Sequence, residues 1–294
     1  MYKLVVLDLD GTTLNNRGKI TNNTKNAIQQ LQNKGIMVTI CTGRNLKTTY
    51  SFVKELGLTI PFLCIDGTMM YDVDQSILYR NNLSYQEAET IIDIVQAENV
   101  YVEVVSDYYY KYVKNKSFRQ YDFDPKDSWL HRIRKYYTGR RYVKDLEILF
   151  QKLQSTQTEI HQVVVGGEQQ FIHQVRKKID QQLGHQVEMR DQLWGDYLFI
   201  HKPKVRKSVG VQVLCNYLGI EIENVLAIGD QRNDIDMLES VGLGIAMGNA
   251  VDEVKEVAKD ITLTNEQDGV AYALEHYLLK ESPMKRISTI KTFS

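Results

Sequence analysis

The chain has 294 residues, 43% of them apolar and 25% charged, and a formal net charge of -1. This is the composition of a globular protein, long enough for a large domain and a smaller one. A near-neutral balance builds no overall field for nucleic acid or an anionic membrane. No apolar run approaches the ~18 residues of a membrane span or reads as a signal peptide, so a cytoplasmic protein is expected, with no nucleic-acid and no membrane partner. Cys41, Cys64 and Cys215 are odd in number and set in apolar surroundings, which points to buried thiols in a reducing compartment. The His residues show no paired zinc-type spacing, so any metal has to be held by oxygen.

Residues 4–7, 37–41 and 61–65 are short apolar runs suited to strands buried on both faces. Between the first two, residues 21–34 carry a helical pattern with Thr21 as N-cap and Gly35 as stop. Residues 86–97 read as a helix, and 101–105 with 109–113 as a hairpin turning at Ser106-Asp107. Helices at 143–153 and 171–183 flank a strand at 162–165, and a further strand ends near Met189. The first grammar then returns: helix 208–218 stopped by Gly219, strand 224–228, helix 234–241, strand 243–247, helix 252–258, strand 260–263 and helix 269–280. The pattern predicts an α/β fold. Its Rossmann-like parallel-sheet core takes residues 1–82 and 190–294, and an inserted α+β cap domain takes 83–189, on linkers near residues 80–83 and 190–194. The tail after Lys280 lacks apolar periodicity and is expected to be mobile.

In an open parallel sheet, ligands bind beyond the carboxyl ends of the strands. The polar residues at those ends are Asp8 and Asp10 in D-L-D-G-T, then Thr42, Gly43 and Arg44, then Gly229, Asp230, Asn233 and Asp234 in G-D-Q-R-N-D. Turn chemistry favours Asp, Asn, Gly and Thr after strands. That accounts for any one cluster, but poorly for all three on one rim. Crowded carboxylates require compensation, and an all-oxygen site with phosphate nearby suits Mg2+. Gly11 lets backbone amides approach an anion closely. Two carboxylates spaced i and i+2 can divide the labour, one attacking phosphorus and the other handling the proton.

These motifs, with a lysine before a helix and I-A-M-G-N-A at 245–250, resemble the haloacid dehalogenase superfamily. The set is most similar to its Cof-type phosphatases, which carry a large inserted α/β cap. The resemblance covers both core segments, and in the insert it rests on length and element order. It implies Mg-dependent hydrolysis of a small phosphomonoester, a sugar phosphate or phosphorylated cofactor, through an aspartyl-phosphate. Asp8 matches the nucleophile, Asp10 the general acid and base, Thr42 a hydroxyl on the phosphoryl group, and Lys207 the lysine that balances charge there. Gly43, Arg44 and Asn233 are implied to bind substrate. Asp8, Asp10 (through its backbone carbonyl), Asp230 and Asp234 are implied to hold the metal.

Thr13 stands where the family has leucine, Asp66 where asparagine is frequent, and Ser208 where glycine is frequent. Two rival readings share the implied fold: a sugar phosphomutase and a non-catalytic sugar-phosphate sensor. The intact Asp8, Asp10, Lys207 and Asp230 argue against the sensor. Dehalogenation leaves Asp10 without a role. The glycines of residues 242–248 lack dinucleotide-loop spacing. Tyr108, Tyr109, Tyr110 and Tyr112, with Lys111 and Lys114, read as a cap hairpin with one packed aromatic face rather than a platform for single strands. The basic run 132–141 is a candidate for attracting a phosphorylated metabolite.

Overall fold

Apolar continuity over β1 (Leu4–Leu7) leaves that strand no solvent-facing side, and all four residues are buried in the computed structural model, which describes residues 2–113, 140–192 and 197–280. Next come α1 (Asn22–Asn33), whose N-cap Thr21 accepts from the Thr24 amide, β2 (Met37–Ile40) and α2 (Leu46–Glu55), capped by Asn45. Three short strands follow, β3 (Phe62–Cys64), β4 (Met69–Tyr71) and β5 (Ile77–Arg80). A Ser84–Glu87 capping box opens α3 (Tyr85–Ala97), which leads to β6 (Tyr101–Val105), β7 (Tyr109–Val113) and β8 (Arg140–Val143). Then come α4 (Leu146–Ser155), β9 (Gln162–Gly166), α5 (Gln169–Leu183), β10 (Glu188–Gln192) and β11 (Tyr197–His201). The chain continues through α6 (Lys207–Leu218), ended by left-handed Gly219, β12 (Val225–Gly229) and α7 (Ile235–Ser240). It closes with β13 (Leu243–Ala246), α8 (Asp252–Val257), β14 (Asp260–Ile261) and α9 (Gly269–Leu274).

The chain divides into two compact units, Met1–Val38 with Ile222–Ser294, and Thr39–Glu221. In the first, the sheet runs in the order β14-β13-β12-β1-β2. β1 pairs with β12 in parallel from Leu4↔Val225 to Leu7↔Ile228, and β12–β13 and β13–β14 are parallel too.

The second unit holds two sheets. Residues 61–65 are expected to extend the parallel sheet; instead β3 pairs antiparallel with β4, and β4 with β5. Only a single parallel bridge, Cys41 to Leu63, ties β3 to the end of β2. The cause is local. Asp66 and Gly67 take φ of 51° and 83°, and the Thr68 amide donates to the Ile65 carbonyl at 2.9 Å. That is a type I′ turn, whose twist suits a tight antiparallel hairpin.

The larger sheet runs β10-β11-β9-β6-β7-β8, and its pairs are antiparallel except β7 with β8. Val102, Val104, Val163, Val165, Leu198 and Ile200 on one face share a buried core with side chains of α3, α4 and α5. The expected hairpin forms, its turn spanning Ser106, Asp107 and Tyr108. The sheet runs past residue 189, because Glu188–Gln192 pairs with Tyr197–His201, so Arg190 sits in a ladder rather than a linker. Residue 143, expected to begin a helix, ends strand β8. Most of the basic run, Lys114, Trp194 and the tail after Lys280 lie outside the described residues.

No helix among the described residues is long and apolar enough to cross a membrane. All three cysteines are buried and belong to no disulfide. Burial pushes the Cys64 thiol up to about 12 against a hydrogen bond with Thr49, which makes it an unreactive thiol.

Next to the Leu83–Ile160 bridge, His161 is buried, its Nδ1 2.8 Å from Asn82 Oδ1. Burial holds its pKa down to about 4 from 6.5, against the opposing charges of Glu159 and Asp107. The unfolded chain therefore takes up a proton, as pH falls through 6.5, that the folded chain refuses. The contribution to stability is full above pH 6.5 and is lost as pH drops toward 4, a span worth about 3 kcal/mol. In His161→Gln, urea-unfolding stability should fall less between pH 7 and 5 than in the parent, by up to one proton's worth of slope. Parallel curves for the two proteins would mean that His161 is charged in the folded state.

Candidate active site

Parallel pairing of β1 with β12 delivers the residues that follow each strand to the same sheet edge. The Asp8 amide donates to Ile228 O at 3.1 Å. Asp8, Asp230 and Asp234 are buried, and each offers a carboxylate oxygen within 4.8 Å of the others. Beyond Asp8 the chain reverses at Gly11, φ +82°, where a Cβ would stand 2.3 Å from Asp230 Oδ2. Only glycine lets the loop lie against that carboxylate.

The carboxylates of Asp230 and Asp234 are oriented by named donors. Thr12 Oγ1 donates to Asp230 Oδ1 at 2.8 Å, and Gln231 Nε2 donates to Asp230 Oδ2 at 3.3 Å. Asp234 Oδ2 accepts from the amides of Asp230 and Gln231, both at 2.9 Å. Thr13 Oγ1 donates to the Asp8 carbonyl at 2.5 Å. Asn249 Nδ2 donates to the Gly11 carbonyl at 2.8 Å, and the Asn265 amide donates to Asn249 Oδ1 at 2.8 Å. Asp10 and Asn233 lie exposed, Asp10 in a bridge with Leu14 and Asn233 in the 3-10 turn Arg232–Asp234.

Two ionised carboxylates 4.8 Å apart repel by about 3 kcal/mol at an effective dielectric of 20. The donors on Asp230 and Asp234 offset part of this. A divalent cation among the same oxygens reverses its sign, and three hard oxygen donors fit such an ion.

Thr42, Gly43, Arg44 and Lys207 belong to the second unit. The Asp66 amide donates to Thr42 O and the Ile65 amide to Arg44 O, both at 3.0 Å, while the Arg44 amide donates to Thr42 Oγ1 at 3.2 Å. Ile65 has φ +49°, rare for a β-branched residue and sustained here by those bonds. The strained loop brings Asp66 Oδ1 to 3.2 Å from where a Gly43 Cβ would stand. On its far side Gly67 lies against α6: a Cβ on Gly210 would stand 2.6 Å from Gly67 Cα. Lys207, the first residue of α6, is fully buried.

Arg206, just before it, is gripped by Glu188, 3.1 Å from each of two guanidinium nitrogens. Burial works against the Glu188 charge, but hydrogen bonds from Arg206, Arg190 and the Lys204 amide outweigh it and bring its pKa down to about 2. The predicted residues therefore fall into two clusters. Asp8, Asp10, Asp230, Asn233 and Asp234 share the first unit; Thr42, Gly43, Arg44 and Lys207 share the second. Sequence reasoning assigned no role to Thr12, Asn249, Asn265 or Glu188. The first two stand inside quoted motifs, which was a usable signal; the last two carry none.

An acid-rich edge on a parallel α/β sheet with an inserted cap defines a class of hydrolases, and residues 5–274 match the model of the haloacid dehalogenase-like hydrolases. A 5-amino-6-(5-phospho-D-ribitylamino)uracil phosphatase of Bacillus subtilis is 29% identical over 282 residues, 93% of this chain and 97% of its own. A second Bacillus subtilis phosphatase of that description is 28% identical, over 94% of this chain and 96% of its own. A solved haloacid dehalogenase-like hydrolase from B. subtilis superposes with a TM-score of 0.78 at 24% identity, over 94% of this chain and all of that one. The chain belongs to the haloacid dehalogenase-like hydrolase family, and within it is an enzyme of the phosphatase class.

Because the crowded carboxylates exist only in the folded state, a divalent cation should stabilise it. At a hundredfold excess over Kd, Mg2+ or Mn2+ is expected to raise Tm by on the order of 5 °C. Asp230→Asn should remove most of that rise in a fluorescence melt. An undiminished rise in the variant would place the cation elsewhere.

Proposed function

We propose that this chain is a Mg-dependent phosphatase of small phosphomonoesters, with Asp8 as nucleophile. The observation that carries the reading is the buried trio Asp8, Asp230 and Asp234, with exposed Asp10 two residues from Asp8. A carboxylate oxygen of Asp8 attacks phosphorus, the bond from phosphorus to the leaving oxygen breaks, and the proton on Asp10 passes to that oxygen. Water then attacks the aspartyl-phosphate and gives its proton to Asp10. The bond from phosphorus to Asp8 breaks, restoring the carboxylate and releasing inorganic phosphate.

Exposure suits Asp10 to exchange protons, while the Thr13 hydroxyl on the Asp8 carbonyl steadies the nucleophile. The carboxylates of Asp8 and Asp230 and the carbonyl of Asp10 would hold Mg2+, which when bound neutralises charge on the phosphoryl oxygens. Asp234, with one oxygen committed to two amides, orients the Asp230 turn and completes the acidic set. To Thr42 and Lys207 falls the binding of the phosphoryl group, and to Gly43, Arg44 and Asn233 further substrate contact. The inserted cap would exclude water and select the leaving group. Relatives named for a phosphorylated ribitylamino-uracil support a small metabolite, a phosphorylated cofactor or sugar phosphate, as substrate, and the enzyme is placed in the cytoplasm on the sequence reading alone.

Asp8→Asn keeps shape but removes the attacking anion, so turnover should fall by at least ~10³. Retention of more than a tenth of the parent rate would mean another nucleophile. Asp10→Asn should slow alkyl phosphates far more than p-nitrophenyl phosphate, whose leaving group departs without a proton. Equal losses on both would remove Asp10 from leaving-group protonation.

A further inference from the structure

Lys207 occupies the least secure position a helix offers. It is the first residue of α6, where helices fray, yet its side chain is fully buried. Helix starts are ordinarily fixed by a Ser, Thr, Asp or Asn whose oxygen accepts from a first-turn amide. The N-cap of α6 is Arg206, in extended backbone, and its side chain makes no such bond. A guanidinium has no acceptor atom with which to make one. What holds this helix start has to come from outside α6.

It comes mainly from β10. The register Glu188↔His201 sets the first residue of that strand opposite the last of β11, so the Glu188 carboxylate meets the loop that leaves β11 for α6. Each residue from Pro203 to Arg206 is tied from outside the loop. Asn81 Nδ2 donates to Pro203 O at 3.0 Å. The Lys204 amide donates to Glu188 Oε2 at 3.1 Å, at a residue whose φ of +65° needs such support. Val205 O accepts from Arg190 at 2.7 Å, and Arg190 Nε in turn donates to Glu188 Oε1 at 2.9 Å. Arg206 donates to Glu188 Oε1 from both terminal nitrogens, at 3.1 Å each, and to Oε2 at 3.3 Å.

All but the first of these ties run through one carboxylate. A single ion pair at a protein surface contributes little, and the exceptions are networks and forked arginine contacts. Glu188 is both. The same bonds commit Arg190 and Arg206 to Glu188, so neither competes with Lys207 for an anion at the start of α6.

We propose that Glu188 is a positioning residue for phosphoryl binding: by fixing residues 204–206 it fixes where α6 begins, and with that the Lys207 ammonium. The proposal rests on the phosphatase reading and on Lys207 binding the phosphoryl group. Glu188 itself touches no reacting atom. Its effect therefore falls on affinity for the phosphoryl group, by the same factor whichever alcohol is esterified.

The test measures kcat and KM for p-nitrophenyl phosphate and D-ribitol 5-phosphate, and the inhibition constant of inorganic phosphate, all with Mg2+ present. Glu188→Gln keeps the shape but offers one acceptor oxygen where Arg190, Lys204 and Arg206 use two. It should raise KM and the phosphate inhibition constant together by about 10-fold, and equally for both esters. Arg206→Met should raise both constants by at least ~3-fold. The double variant should match Glu188→Gln rather than multiply the two losses, because both act through one tie. Asp191→Asn is the control: it breaks an ion pair with Arg176 on the same strand and should change neither constant. A merely structural loss lowers the concentration of active enzyme, and so kcat, but leaves KM and the inhibition constant where they were. Unchanged constants in Glu188→Gln, unequal losses on the two esters, or fully multiplicative losses in the double variant overturn the proposal. So does an inhibition constant that falls because released arginines bind the anion. If Glu188→Gln does not fold, Arg206→Met decides on the same constants. Failure of the parent to hydrolyse either ester overturns the phosphatase reading instead.

Discussion

Repulsion among Asp8, Asp230 and Asp234 is the constraint that the first unit is built to manage. Parallel pairing creates it: β1 and β12 end at the same edge, so the residue after each strand arrives beside the other. Antiparallel partners would have sent the two carboxylates to opposite ends of the sheet. What surrounds the trio follows from holding it together. The Thr12 hydroxyl, the Gln231 side chain and two backbone amides are spent on carboxylate oxygens. Gly11 lies where any side chain would strike Asp230. Asn249 and Asn265 secure the carbonyl and amide groups of the loop behind it.

The second unit manages its charges differently. Its helix-packed face is buried and mainly aliphatic, while the opposite face mixes tyrosines with a lysine, glutamates and an arginine, nearly every one engaged with a neighbour. Glu188 shows the logic: one carboxylate serves two arginines and a backbone amide, and through Arg206 it braces the turn that starts α6. Position along a strand, rather than sequence proximity, decides which of these groups meet.

Much of the fold was legible because its signals are local. The apolar run of β1, the Thr21 cap, the hairpin β6–β7 and the Gly219 stop are each written within a few residues. The turn at Asp66-Gly67 was equally local, but β3 and β4 are three residues each, too short for alternation to declare them. Helix α2 carried an Asn45 cap that passed unread. Strand β11 was hidden because its outward residues, Tyr197 and Phe199, are as apolar as its inward ones. At the site, motif residues could be named while their partners could not. Thr12 meets Asp230 across 218 positions of chain, and Glu188 meets Arg206 only because β10 turns back beside the 203–206 loop.

The contact between Gly67 and Gly210 brings main chain directly onto main chain. Where a side chain stands between two backbones it acts as a spring, since rotamers can absorb a few tenths of an ångström. Here no spring exists. The loop that aims Asp66 and the helix that begins at Lys207 are joined as stiffly as two links of a chain pulled taut. The position of the Asp66 carboxylate beside Gly43 is thus set by where α6 begins, not by any rotamer between them.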